Sequence, residues 1–392
     1  MPLFRRDDFE EINSRFFFEM RRHKSYAADP SGWLHAVRHI NHLLPEPLAS
    51  LGGLTRYCSD EEWNIKEVKE NYVEFASQWD ENSYSYDNLT LCNSVTSAIA
   101  IVLATLKRKG VKSVFFETPL YFAAFCQAKI FGLRTVLLPT YIENDFQLDR
   151  FETKLSKRAE PFAFWISQPR TYLGVNQELD HLQSIINLIA HKSYLIVDEA
   201  MEQEWPSRMR SVSPTQLNVI KLRSITKGIG LNGLRMAYIL HPRSIRPEIV
   251  SSMENFQGGL DSQSVRLTSA LITNETLFRR LLRSSRDLIC DLSRLARAEI
   301  LGTGMILSKI QNGYIGSVAL PRPASLKTIS VWRNRLLSHC VKNRCPVILG
   351  SSMYFAVDKN FEFVRLTYFN GANHLRNGLR ILASIYGDEE FQ

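Results

Sequence analysis

The sequence predicts an α/β fold, a mostly parallel sheet flanked by helices, with a smaller α+β domain beside it. Three observations carry this. Short β-rich runs alternate with helical segments between Leu91 and Leu240. Those runs are apolar at successive positions, as strands covered on both faces are. The last third breaks the alternation, opening on a long helical stretch before strands return. At 392 residues, 45% hydrophobic and 22% charged, the chain can bury a large core without disulfide or metal support. We divide it into a large domain over residues 51–271 and a small domain formed by residues 1–50 together with 272–392.

In chain order, Phe9, Ile12, Phe16, Phe17 and Met20 recur at helical spacing, which predicts an amphipathic N-terminal helix. The segment CNSVTSAIAIVLATLKRKG runs from a polar loop into an apolar helix closed by Gly110, and YFAAFCQAKIFG is a second helix closed by Gly132. ELDHLQSIINLIAHK reads as a third. Between and after them lie the β-rich runs VKSVFFE, RTVLLP, FAFWIS, SYLIVD, NVIKLRSI and RMAYIL. Past Thr273, ETLFRRLLRSSRDLICDLSRLARAEI is one long helix, followed by the strands IGSVALP and FEFVRLTYF.

Composition excludes several function classes. The 48 Lys and Arg outweigh the 40 Asp and Glu by 8, but they are scattered without a run of five like charges, so we expect no nucleic-acid partner. The longest apolar stretch, Ser97 to Leu106, is about half of what a bilayer crossing needs, so we expect no membrane span. The opening MPLFRRDDFEE passes from positive to acidic residues without a signal's apolar segment, which points to the cytoplasm. Six scattered cysteines without a C-x-x-C pair point to reduced thiols. His35, His39 and His42 share a helical face, yet the spacing H-E-x-x-H is absent, and we expect no metal. There is no G-x-S-x-G nucleophile elbow.

Gly228, Gly230 and Gly233 spell G-x-G-x-x-G after a strand. A dinucleotide fold needs those glycines to open a helix, whereas LRMAYILHP reads as another strand, and no acid stands at the end of a following strand about 20 positions on. The neighbouring residues suit another chemistry. In SITKGIGLNGLR, the hydroxyl of Ser224, the amine of Lys227 and the guanidinium of Arg235 are grouped between two strands. Such a group can join an aldehyde covalently and hold an anion nearby.

That segment resembles the cofactor-lysine segment of the fold-type I pyridoxal phosphate-dependent enzymes, the aspartate aminotransferase superfamily. Other pieces follow the same order. The resemblance implies that Lys227 forms the Schiff base with pyridoxal 5'-phosphate. Asp198, in LIVDEA, would pair with the pyridine nitrogen, keeping the ring cationic as an electron sink. Tyr121 would stack on the ring, while Ser94, Val95, Thr96, Ser224 and Arg235 would hold the phosphate. Arg365, in FVRLTYF, would clamp the substrate carboxylate, and Tyr57 would reach the phosphate of a neighbouring subunit. ISQPRTYLGV matches the superfamily's N-P-x-N-P-T-G loop at Pro169 and Gly174 but places Thr171 at the second Asn, and Met201 replaces a Tyr three residues after Asp198.

The resemblance further implies a homodimer with a shared site. The expected activity is transamination between an amino acid and a 2-oxo acid. The departures at Thr171 and Met201 keep open another pyridoxal phosphate outcome: elimination, decarboxylation, cyclisation or oxidation of an amino acid in specialised metabolism. A ligand-sensing regulator would need an N-terminal DNA-binding module, for which the first fifty residues are too short. A cofactor-free relative would leave Lys227, Asp198, Arg235 and Arg365 as costly charges around an empty pocket.

Overall fold

The computed structural model describes residues 65–138, 160–178, 186–187, 193–215, 218–257, 259–323, 328–350 and 360–387. The helix expected from Phe9 to Met20, the three histidines, Cys58, Tyr57 and most of ELDHLQSIINLIAHK lie outside these residues.

Helix α1 (Ile65–Asp80) leads into strand β1 (Leu89–Cys92), helix α2 (Val95–Arg108), strand β2 (Ser113–Glu117), helix α3 (Phe122–Ile130) and strand β3 (Arg134–Leu138). Strands β4 (Phe162–Ser167), β5 (Tyr194–Glu199), β6 (Val219–Ser224) and β7 (Ala237–Leu240) complete a seven-stranded sheet in the order β1-β7-β6-β5-β4-β2-β3. The neighbours from β6 to β3 pair in parallel, whereas β7 runs against both β6 and β1. Every residue of β2, β4, β5 and β6 is buried, which explains their near-continuous apolar runs; β3, at the edge, is the partly exposed strand and carries an exposed Arg134.

The pleat sorts neighbours to opposite faces. Val114, Phe116, Ala163, Trp165, Ile196, Ile220 and Leu222 pack with α2 and α3 in one apolar layer. Phe115, Phe164, Ile166, Leu195, Val197 and Val219 pack in another with Met209 and Val212. The same alternation sends Asp198 and Ser224 toward the α2 face and their neighbours Glu199 and Arg223 to the other. Helix α2 starts sharply because the Ser94 hydroxyl accepts the Ser97 backbone N–H at 3.0 Å, and Lys107 and Arg108 in its last turn suit the helix dipole.

Helices α4 (Arg246–Phe256) and α5 (Ser262–Thr273) lead to α6 (Glu275–Glu299). The 25 residues of α6 span about 37 Å. Its buried residues, Leu277, Phe278, Leu281, Leu282, Ser285, Ile289, Leu292, Ser293 and Ala296, fall on one stripe, and the Asn274 side chain caps its start by accepting the Leu277 N–H at 3.1 Å. Beyond it, β8 (Ile306–Leu307), β9 (Ile315–Pro321), α7 (Ile329–Lys342), β10 (Phe361–Thr367) and α8 (Gly371–Ser384) form an antiparallel three-stranded sheet, ordered β10-β9-β8, with covering helices. Glu299 at the end of α6 ties α8 down through Arg376 and Arg380, each at 2.8 Å. No helix among the described residues is long and apolar enough to cross a membrane. Strands β1 and β8 and helices α1, α4, α5, α7 and α8 were not among the sequence-derived elements; LTLC is too short to stand out from the polar loop that follows it.

Candidate active site

Strands β2, β4, β5 and β6 point their carboxyl ends to one edge of the sheet, where their loops converge as in other open α/β sheets. Each end contributes a residue. Tyr121 follows β2, Pro169 to Tyr172 follow β4, Asp198 to Met201 close β5, and Lys227 follows β6. Of these, all but Arg170 and Glu199 line one solvent-open pocket, together with Val95, Tyr314, Ile315 and Arg365.

Lys227 opens a single 3-10 turn, Lys227–Ile229, instead of a helix, so the glycines after it do not cradle a dinucleotide. Its backbone N–H donates to the Ser224 hydroxyl at 3.3 Å. Gly228 is required here because a Cβ would come within 2.8 Å of the Glu202 carbonyl oxygen, and Gly230 takes the left-handed φ of +73° that turns the chain back toward β7. The Gly228 carbonyl accepts from Ser285 of α6 at 2.8 Å, fixing the turn against the long helix.

Burial lowers the pKa of the Lys227 ammonium, with Asp198 acting in the opposite sense and Arg235 and Arg365 reinforcing the fall. The amine lies 5.8 Å from the centre of the Tyr121 ring. Asp198 is buried, and desolvation raises its pKa, opposed by the Lys227 charge and by an N–H donated from Ala200 at 3.1 Å. An amine and a carboxylate, both disfavoured in their charged forms and facing one pocket, form a site prepared for a partner.

The remaining sequence candidates are distributed around it. Thr171 is buried in the pocket wall, and Thr96 places its hydroxyl 3.5 Å from that of Tyr121. Ser94 and Ser224 are buried, Ser94 as the cap of α2 and Ser224 as the acceptor from Lys227. Arg235 is an exposed residue whose backbone N–H donates to Ser264 at 3.0 Å; its charge still acts on Lys227. Arg365 enters from β10, opposite Ser317 of β9, and its buried Nε has no hydrogen-bond partner.

Residues 48–379 match the family "Aminotransferase class I and II". The chain belongs to this family. The histidinol-phosphate aminotransferase of Buchnera aphidicola subsp. Diuraphis noxia is 20% identical over 210 residues, which cover 53% of this chain and 55% of that protein. The chain thus spans about half the length of that curated relative. A Thermus thermophilus aspartate aminotransferase single mutant superposes with a TM-score of 0.76 at 18% identity, covering 97% of each chain. The aromatic aminotransferase from Pyrococcus horikoshii OT3 gives 0.73 at 16% identity, covering 96% of this chain and all of that one. At these identities the structural matches speak for the fold.

The cofactor of aminotransferases of this class is pyridoxal 5'-phosphate, and the donor set suits it. The Lys227 amine is the nucleophile an aldehyde needs, and Asp198 is a buried carboxylate short of a cation. The hydroxyls of Ser94, Thr96 and Ser224 and the first-turn N–H groups of α2 are the donors a phosphate needs. Sequence reasoning missed Tyr314. A tyrosine ahead of a strand looks like any core aromatic, and the nearest signal was the Asn-Gly turn, Asn312 and Gly313, before it. Tyr172, in the ISQPRTYLGV loop beside Thr171, also lines the pocket.

Proposed function

We propose that the chain is an aminotransferase that exchanges the amino group of an amino acid for the oxygen of a 2-oxo acid. Convergence of Lys227, Asp198 and Arg365 on one pocket, from three separated parts of the chain, carries this reading. The bound cofactor supplies a Schiff-base carbon at Lys227 and an electron sink that stabilises negative charge at the substrate's α-carbon.

The protein's part is to hold and to move protons. Burial favours the neutral form of Lys227, the form whose Nζ can accept a proton from a substrate carbon and return it. Asp198 would meet a ring nitrogen, where a cation would offset the desolvation that raises its pKa. Tyr121 would stack on the ring, Thr171 would contact its polar edge, and Ser94, Val95, Thr96, Ser224 and Arg235 would anchor the phosphate. Arg365 holds the substrate carboxylate with its planar fork, which fixes the α-carbon beside Lys227. We place Tyr57 at the phosphate of the neighbouring subunit in a homodimer. The described cysteines Cys92, Cys290 and Cys340 are free thiols, which suits the cytoplasm.

Thr171 and Met201 favour a second reading, another outcome on the same scaffold: elimination, decarboxylation, cyclisation or oxidation of an amino acid. Both residues line the pocket where the superfamily has stronger hydrogen-bond donors. One experiment separates the two. The purified protein is examined by visible spectroscopy before and after borohydride, then mixed with amino acids and a keto acid. A borohydride-sensitive band and an exchanged amino acid support transamination, whereas ammonia, carbon dioxide or peroxide as product supports the second reading. A colourless protein matched by its Lys227→Ala form refutes both.

A further inference from the structure

The pocket wall divides by chemistry. Once Val95, Tyr121, Thr171, Asp198, Ala200 and Lys227 are given to the cofactor, the wall that remains is Pro169, Tyr172, Met201, Tyr314, Ile315 and Arg365. Arg365 is the single charge in that set. Its buried, unpartnered Nε calls for an anion, and its charge acts on the phenols of both Tyr172 and Tyr314. Everything else there is aromatic or apolar.

Two of these surfaces are held in place. The Tyr314 ring stacks on Phe369, with centroids 4.3 Å apart and planes 10° from parallel, while its hydroxyl accepts from Asn232 at 3.1 Å. Asn232 lies on the segment that follows Lys227, so the plate is fastened to the turn carrying the amine. Tyr172 sits at a φ of +65°, a conformation that costs a bulky side chain energy and persists only where surroundings enforce it. They do so here: Arg170 donates its N–H to Val175 at 2.7 Å, Gly174 to Arg170 at 3.1 Å, and the Ser317 hydroxyl donates to the Tyr172 carbonyl.

We propose that the substrate amino acid carries a neutral aromatic or large apolar side chain, with Tyr314 as its specificity-determining surface. Arg365 takes the α-carboxylate. This rests on the aminotransferase reading and adds the substrate class to it. A second carboxylate would have to shed its water against Tyr172, Met201, Tyr314 and Ile315, with no second cation among the described lining residues to receive it. A phosphate-bearing amino alcohol would occupy Arg365 with its own anion and leave the aromatic plate without a partner. A planar or branched apolar side chain gains contact with Tyr314 and Met201 and loses nothing to desolvation.

The test uses the cofactor-loaded protein in single-turnover mixing, followed by the cofactor's absorbance, with phenylalanine, tyrosine, leucine, alanine, aspartate, glutamate and histidinol phosphate. The second-order rate constant for phenylalanine or leucine should exceed that for aspartate by at least about ten-fold. Tyr314→Ala should lower the phenylalanine value by about ten- to a hundred-fold through weaker binding, and the alanine value by less than about three-fold. Tyr314→Leu, which keeps bulk, serves if the smaller residue does not fold, and should impair phenylalanine more than leucine. Preference for aspartate, glutamate or histidinol phosphate overturns the substrate class and leaves amino transfer standing. Equal losses for phenylalanine and alanine overturn the role of Tyr314. No spectral change with any amine takes down the aminotransferase reading itself.

Discussion

Strands β5 and β6 carry two sets of charged and polar residues that alternate along the chain yet end in opposite circumstances. On one face, Glu199, Lys221 and Arg223 meet Asp80 of α1 with no solvent exposure at all. Lys221 reaches Asp80 at 2.9 Å and the Met209 carbonyl at 2.8 Å; Arg223 forks onto Glu199 at 3.0 and 2.9 Å. Ser207 donates to Glu199 at 2.8 Å, and the Arg223 guanidinium lies 4.9 Å from the Trp79 ring centre. Two acids and two bases cancel. On the other face, Asp198, one residue before Glu199, and Lys227, three residues past the end of β6, are left short of partners and open to the pocket. Paired burial makes this sheet coherent, and unpaired burial makes it reactive.

Cutting each set should therefore fail differently. Lys227→Ala is expected to reduce turnover by more than about 10⁴-fold, since the nucleophile and proton carrier are one amine, while the urea midpoint stays nearly unchanged. Arg223→Met is expected to do the reverse in kind. It leaves the two buried carboxylates Asp80 and Glu199 to share the single cation of Lys221, at a cost of about 3–5 kcal/mol in urea unfolding. An Arg223→Met protein as stable as the parent would show that the tetrad is not what secures α1 to the sheet.

Legibility in the sequence followed the same division. Strands β2 to β6 and helices α2, α3 and α6 were readable because burial on two faces, or along one helical stripe, writes a local periodic pattern. Lys227, Asp198, Tyr121, Thr171 and Arg365, singled out through the family resemblance, are brought to one pocket. The tetrad was not readable: Lys221 in NVIKLRSI looks like a solvent-facing strand residue, and its partner Asp80 lies 141 positions earlier. Tyr314 and Asn232 escaped for the same reason, being joined only through the tertiary fold across 82 positions.

A third group lies between the two sets. Glu202 is buried just past β5, and its Oε1 accepts the N–H groups of Gln203 at 2.9 Å and Glu204 at 2.8 Å and the side chain of Asn312, while Oε2 has no partner. Desolvation pushes its pKa up to about 7. The folded state therefore holds this proton between about pH 4.5 and 7 where the unfolded chain does not, and stability falls as pH rises through that window. Glu202→Gln, which keeps the acceptor oxygen, should be more stable than the parent at pH 8 by about 3 kcal/mol, with the difference vanishing near pH 4. Equal melting curves at both pH values would mean the carboxylate finds compensation in the fold.

Ser94 joins a structural duty to a proposed site duty and tests whether the two can be separated in one residue. Its oxygen already accepts the Ser97 N–H at 3.0 Å, a structural duty, and lies 3.0 Å from the Ser97 hydroxyl, either of which can be the donor. If the Ser97 hydroxyl donates, the Ser94 proton is left for a phosphate oxygen. Ser94→Ala should then cost about 1 kcal/mol of stability in the apoprotein from the lost cap. It should cost about a further 1 kcal/mol in cofactor affinity, read by fluorescence titration. Ser94→Asp keeps a capping oxygen but sets a carboxylate beside the phosphate, so it should restore the apoprotein's melting temperature while weakening cofactor binding beyond the alanine form. If aspartate instead binds the cofactor as well as serine does, Ser94 acts as a helix cap alone, and the anchoring passes to Thr96, Ser224 and the first-turn N–H groups.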